Sequence, residues 1–263
     1  MNILDAMKKR RSVRSFNGEG LTPTQVELLD KAIAESYSPF GGKLTILLRK
    51  FDLQAGYKPS TYGMIKGAVD FFLLGIGDDE ASALTAGFQF EQVVLKAWQA
   101  GLGTCWIAAT FKGSDFDKGV EWPEGEELKI ISPVGVAAGK SLREKIVRFA
   151  VGSRNRMAFD SMFFYDDFHH SLPADNRFRE ALEMLRLAPS STNSQPWRAL
   201  VTDDSVHFYY KPKSPASVLD TGIGICHFYE TERYYGRDGE FAKLAHAPSA
   251  PDNWKYLVTY TSR

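Results

Sequence analysis

Two stretches of this 263-residue chain repeat each other in register. Leu28–Leu48 lies on Ala181–Val201 at one constant offset and without a gap, so a helical pattern, a polar corner and a strand pattern coincide. A second block, Gly87–Gly101, lies on Gly222–Gly236 with glycine matching glycine at both ends. The offset is smaller there, so the middle of the second copy is shorter. Any two helix–corner–strand units share this grammar, but the matched glycines favour duplication. Such a chain is expected to fold as two copies of one α+β unit that pack like the subunits of a dimer. The expected halves are residues 1–150 and 151–263, with the seam inside 143–159.

The elements follow from local pattern. Thr22 as N-cap, Pro23 at the first helical position and Gln25 three after the cap open a helix whose Val26, Leu29 and Ile33 share one face. A strand pattern at Leu44–Leu48 follows, then "VDFFLLGIG" and a long helix from about residue 84 to 100 with Phe90, Val93, Val94 and Ala97 on its buried face. "KIISPVGVAAG" closes the first copy. In the second, Phe178, Ala181, Leu182 and Leu185 mark a helix face. Strands at "RALVT" and "VHFYY" come next, then a helix over about 219–235 and a final strand, "YLVTYTS". The expected architecture is a three-layer α/β/α sandwich with a mixed sheet in each half, the two long helices packed together at the centre of an internally duplicated pseudo-dimer.

Composition removes several classes. Thirty-two basic residues balance 32 acidic ones, so no global field recruits nucleic acid or an anionic membrane. No apolar run approaches the roughly 20 residues of a membrane span, and residues 1–15 lack the apolar core of a signal peptide. Cys105 and Cys226 form no CxxC pair, and Cys105 reads as a packed thiol. A reduced, cytoplasmic protein is expected.

Two segments stand out. "LAPSSTNSQPW", Leu187–Trp197, crowds short polar side chains into one corner. Asn193, Ser194 and Gln195 lie opposite Phe40, Gly41 and Gly42 of the other copy, an asymmetry that suggests one working site. The second segment is N-terminal: Lys8, Lys9, Arg10, Arg11 and Arg14 make five of seven residues basic. Three readings compete for it: a solvated helix end, a nucleic-acid or targeting arm, and a phosphate grip. In an extended segment Arg10, Ser12 and Arg14 point the same way, offering two guanidinium forks and a hydroxyl to one anion.

"RRSVRSF", "LAPSSTNSQPW" and "AGLGTCWIAA" together resemble the nitroreductase family of flavin-dependent oxidoreductases, across essentially the whole chain. The order of the motifs is similar to the subgroup in which two such halves are fused and one chain mimics the homodimer. The resemblance implies FMN bound between the halves, a wide pocket, and a monomer acting as a pseudo-dimer. It implies Arg10 and Ser12, within an arm that includes Arg11, at the ribityl-phosphate end and Arg14 near the pyrimidine edge. Arg154 and Arg156 would complete the phosphate site, unless they are a solvated basic linker. Pro189, Ser190, Ser191 and Asn193 would come across from the second half. Gln195 would contact the flavin or brace the corner, and Trp197 would pack in the core. Main-chain N–H groups near Ala108 and Ala109 would meet the flavin, where many relatives have Glu-Gly. Gly63 stands where some relatives place a cation near flavin O2, with Lys66 close by. The final strand is expected to cross to the other half's sheet.

The activity implied is hydride transfer from NADH or NADPH, through flavin N5, to nitroaromatic, quinone or similar acceptors, with no side-chain catalyst. A flavin- or ligand-binding protein that has lost turnover is the alternative. Other chemistries fail on spacing. Gly101-Leu102-Gly103 ends a helix instead of opening one and is followed by Trp106 where a dinucleotide fingerprint needs a small residue. There is no GxxxxGK[ST] or GxSxG stretch. His169, His170, His207, His227 and His246 show no metal-ligand spacing and read as surface or partly buried residues.

Overall fold

A computed structural model describes residues 1–51, 59–139, 155–251 and 253–263. It is an α+β protein built on two sheets. Strands β1 (Leu44–Lys50), β2 (Asp70–Ile76), β3 (Gly103–Thr104) and β4 (Glu127–Gly135) form the first, in the order β1-β2-β4-β3. The second holds β5 (Phe163–Tyr165), β6 (Asp167–Ser171), β7 (Trp197–Thr202), β8 (Ser205–Tyr210), β9 (Gly239–Ala242) and β10 (Lys255–Ser262), in the order β6-β5-β7-β8-β10-β9. In each sheet the four shared strands take the same spatial order relative to their order in the chain.

Pairing is antiparallel except for β5 with β7, which makes the second sheet mixed. In the first sheet the parallel contacts come from the N-terminal arm, at Ser12–Thr104 and Ser15–Lys66. The final strand does not cross over. β10 lies between β8 and β9, with Val258 and Tyr260 buried in the second half's core. The edge is extended instead by the β5–β6 hairpin. Most of the seam expected within 143–159, including the boundary between 150 and 151, lies outside the described residues.

The helices are α1 (Ile3–Lys9), α2 (Pro23–Glu35), α3 (Glu80–Gln99), a short α4 (Gly113–Phe116), α5 (Arg179–Leu187) and α6 (Ser217–Tyr234). The capping box of α2 forms both bonds: Thr22 Oγ1 accepts from Gln25 N–H, and Gln25 Oε1 accepts from Thr22 N–H. Helix α3 starts earlier than its apolar pattern because Asp79 caps it, accepting from Ser82 N–H at 2.8 Å. Among the described residues no helix is long and apolar enough to cross a membrane.

Strand β2 shows how the layers are built. Phe72, Leu74 and Ile76 pack toward α2 and α3, while Phe71 and Leu73 join Phe51, Phe116 and Ile131 on the opposite face. Between the sheets α3 and α6 pack closely. A Cβ on Gly87 would lie 2.0 Å from Leu219 O and 2.9 Å from Ile223 N. One on Gly222 would lie 2.4 Å from Leu84 O and 3.1 Å from Phe88 N. The contact is reciprocal: residues matched by the sequence repeat meet each other's counterparts, the pattern of an isologous interface.

Candidate functional site

The basic arm leaves α1 at Arg10 and runs extended along the edge of the first sheet. Val13 N–H donates to Thr104 O at 2.8 Å, Lys66 N–H to Arg14 O at 2.9 Å, and Phe16 N–H to Lys66 O at 2.8 Å. Val13 packs on Gly103, where a Cβ would sit 2.5 Å from a valine methyl. Glycine is therefore required for the arm to lie this close. The "RRSVRSF" and "GLGTCW" segments are thus stitched side by side, with Lys66 on the arm's other flank.

Arg10 points inward. Its side chain is 6% exposed and its Nε lies 3.5 Å from Glu91 Oε1. Glu91, on α3, is fully buried and has two further partners. Trp106 Nε1–H donates to its Oε2 at 2.9 Å, and His227 Nε2, from α6, lies 3.0 Å from its Oε1. His227 Nδ1 faces the Met184 carbonyl at 3.2 Å. This carboxylate ties the arm, both long helices and the "GLGTCW" segment to one point. Arg10 Nη1 and Arg11 Nε are buried without a partner among the described residues.

Arg156 joins this cluster to the polar corner. Its Nη1–H donates to Asn193 Oδ1 at 2.8 Å and its Nη2–H to Leu187 O at 3.0 Å. Burial, then the charges of Arg10 and Arg186, pulls its guanidinium below the usual arginine range. Arg10 and Arg156 therefore feel each other inside the fold, and Arg156 hydrogen-bonds Asn193 directly.

The corner is held in an unusual backbone. Thr192, Asn193 and Gln195 have φ of 49°, 57° and 47°, a left-handed region costly for residues with a Cβ. Several bonds over-determine it. Ser191 N–H donates to both oxygens of the buried Asp220, each at 3.0 Å, and Ser194 Oγ–H to Oδ2 at 3.3 Å. Gln195 N–H donates to Ser190 Oγ at 3.0 Å, and Met157 N–H to Gln195 Oε1 at 2.8 Å. Asn193 Nδ2–H reaches Asn155 O at 2.8 Å. Gln195 thus braces the corner, and Trp197 is fully buried in the core. Burial pushes the Asp220 carboxyl up to about 7, against the opposing pull of the Ser191 and Ser194 bonds.

The remaining expected residues fall as follows. Ser12, Arg14 and Pro189 are half-buried along the arm and the corner, Ser190 likewise, and Ser191 is exposed. Ala108 and Ala109 are exposed, directly after the Ile107–Ile131 bridge. Gly63, at φ 75°, is exposed, and so is Lys66. Arg154 lies outside the described residues. Two histidines differ from expectation. His227 is fully buried, and His207 is buried against Thr202 and Thr259, because hydrogen-bond partners wait for both ring nitrogens in each case. Glu91 and Asp220 were not foreseen. The one signal for Glu91 is a charge lodged between Phe90 and Val93 on a helix face otherwise apolar.

The sequence model of a family described as "Putative TM nitroreductase" matches residues 2–231. A crystal structure from Thermotoga maritima MSB8, described as a putative nitroreductase, is 22% identical, covers 100% of this chain and 93% of its own, and superposes with a TM-score of 0.63. That likeness shows a shared fold. A nitroreductase family protein from Clostridium novyi NT is 19% identical over 55% of this chain and 91% of its own, with a TM-score of 0.42. A nitroreductase with bound FMN from Bacteroides fragilis NCTC 9343 is 15% identical over 54% of this chain and 91% of its own, with a TM-score of 0.44. No curated protein matches the chain.

Proposed function

The chain belongs to this nitroreductase family, and from that premise we propose that it is an FMN-dependent oxidoreductase in which a single chain stands in for a homodimer. The halves are residues 1–150 and 151–263. When bound, FMN would supply hydride acceptance and release at N5, between NADH or NADPH and a small nitroaromatic, quinone or similar acceptor. A repeated strand order and a reciprocal Gly87–Gly222 crossing support the fused reading.

One observation carries the site: the charge of Arg10, from the arm, presses on the part-buried Arg156 beside the corner, and Arg10 Nη1 and Arg11 Nε are buried with no acceptor among the described residues. Glu91 answers only the Nε side of Arg10, so the orphaned N–H groups and the second like charge stay costly without a further anion. A phosphate monoester, at about −1.5 to −2 charge, meets that need. Arg10, Arg11 and Ser12 would hold the phosphate with Arg156 and Arg154, and Arg14 would lie toward the pyrimidine edge. Pro189, Ser190, Ser191 and Asn193 would cover the ring and ribityl chain from the second half. Ala108 and Ala109 would offer main-chain N–H groups only, so no side chain of this segment acts as acid or base.

The first test is colour: the purified chain is expected to be yellow and to release FMN on denaturation. Stopped-flow mixing with NADH or NADPH is then expected to bleach it. A yellow chain that neither donor bleaches would be a flavin carrier, and one that takes up no FMN defeats the proposal. Arg10→Ala is expected to weaken FMN by about 1.5–3 kcal/mol, roughly 10- to 100-fold, in a fluorescence titration. Melting of the apo variant controls for the lost Glu91 contact. Wild-type affinity in a folded variant would remove the arm from the site.

A further inference from the structure

A second group of cations sits at the far end of the corner. Arg198 alternates with Trp197 on β7, so it points away from the helices that Trp197 packs against. It is 1% exposed, and its Nε has no partner among the described residues. One face of its guanidinium lies over Trp254, with Cζ 5.5 Å from the ring centre, and Lys211 Nζ lies 4.7 Å from the same ring. Arg198 Nη1–H donates to Gln195 O at 3.2 Å, and Lys213 Nζ–H to Ser194 O at 2.7 Å. Both therefore hang on the carbonyls that follow Asn193.

Among the described residues no carboxylate pairs with any of the three. Burial pushes Arg198 down to about 10. Burial first, then the Arg198 charge, pushes both lysines down, and Lys213 adds to the effect on Lys211. Among the described residues the partners in reach are neutral: the Ser194, Gln195 and Trp197 carbonyls, the Met157 thioether and the Trp254 indole. A buried arginine with two lysines and no counter-charge among the described residues is an electrostatic debt that a bound anion would settle.

We infer that Arg198, Lys211 and Lys213 form a binding site for a phosphate monoester, the 2′-phosphate that distinguishes NADPH from NADH. The dinucleotide part of this assignment rests on the function proposed above. The corner would touch the flavin through Ser190–Asn193, and Arg198 and Lys213 hold the carbonyls of the next residues along that backbone, Gln195 and Ser194. A nicotinamide donor laid over the flavin must run outward past its edge. The 2′-phosphate is the group of that donor, remote from the nicotinamide, that carries a charge of about −1.5 to −2. Guanidinium and ammonium together suit it.

The experiment compares 2′,5′-ADP with 5′-AMP, which lacks the 2′-phosphate, by calorimetric titration of the FMN-loaded full chain. Loading keeps the Arg10 cradle filled. 2′,5′-ADP is expected to bind about tenfold tighter or better. In Lys211→Gln/Lys213→Gln the two ligands are expected to bind within about threefold of each other, with FMN affinity unchanged. The lysines are used because Arg198→Met removes a buried side chain and could unfold the sheet. Equal affinity for the two ligands in the wild type, or a preference that survives the double substitution, overturns the site. Should the chain take up no FMN, the function proposed above fails on its own, and the titration is run on apo Arg10→Ala. There a 2′-phosphate preference lost with both lysines upholds the site, and its absence overturns it.

Discussion

Gly87→Ala is expected to destabilise the chain by about 2–4 kcal/mol, or to prevent folding. The added Cβ would stand 2.0 Å from Leu219 O and 2.9 Å from Ile223 N, both main-chain atoms of α6. A flexible side chain could swing aside, but two rigid helices cannot, so α3 and α6 must move apart along their whole crossing. That separation opens space around Phe88 and Ile223 and strains the Glu91–His227 contact that spans the same helices. Gly222→Ala is expected to behave alike, since its Cβ meets Leu84 O at 2.4 Å. Gly113→Ala is the control: nothing lies within 4 Å of its Cβ, and a change below about 0.5 kcal/mol is expected. Denaturant midpoints decide the matter. A Gly87→Ala midpoint equal to that of the wild type would show that the helices are not in close contact.

The same glycines explain what was legible in the sequence. In the sequence Gly87 and Gly222 marked only a repeat; that they let two helices cross closely shows in the packing, where each would press a Cβ on the other helix's backbone. Helices with a long apolar pattern (α2, α3, α5 and α6) were open to reading, as were strands bounded by turns, though only α2 announced its cap. Short pieces were not. Helix α1, the β5–β6 hairpin and β9 are too brief to show a period, and their residues are set by what they pack on. For the site, the unusual composition of the arm and the corner pointed to both segments. Nothing in the sequence shows that Arg156 would hydrogen-bond Asn193 and also feel Arg10. Glu91 and Asp220 were hidden for one reason: a carboxylate on a buried helix face looks like noise in an apolar pattern until its partners, from distant segments, are in place.

Asp220→Asn is expected to raise stability above pH 7 and leave it nearly unchanged at pH 4. The corner needs an acceptor at this place, and the other copy shows that it need not be charged. There the repeat puts Thr85 opposite Asp220, and Thr85 Oγ1 accepts from Gly42 N–H at 3.2 Å and meets Ser38 Oγ at 3.0 Å. At Asp220 burial disfavours the ionised form, and the carboxyl is pushed from 3.8 up to about 7. Between those values the folded chain keeps a proton that the unfolded chain has released, so stability falls as pH rises from about 4 to about 7. At about 1.4 kcal/mol per pH unit, that window sets a ceiling of roughly 4 kcal/mol on the loss. Asparagine does not ionise, so its melting curve lacks this slope. Thermal melts of both proteins from pH 4 to pH 9 should diverge through the window and stay apart above it. Parallel curves would mean that Asp220 is ionised in the folded chain without penalty, and that solvent reaches the latch of the corner.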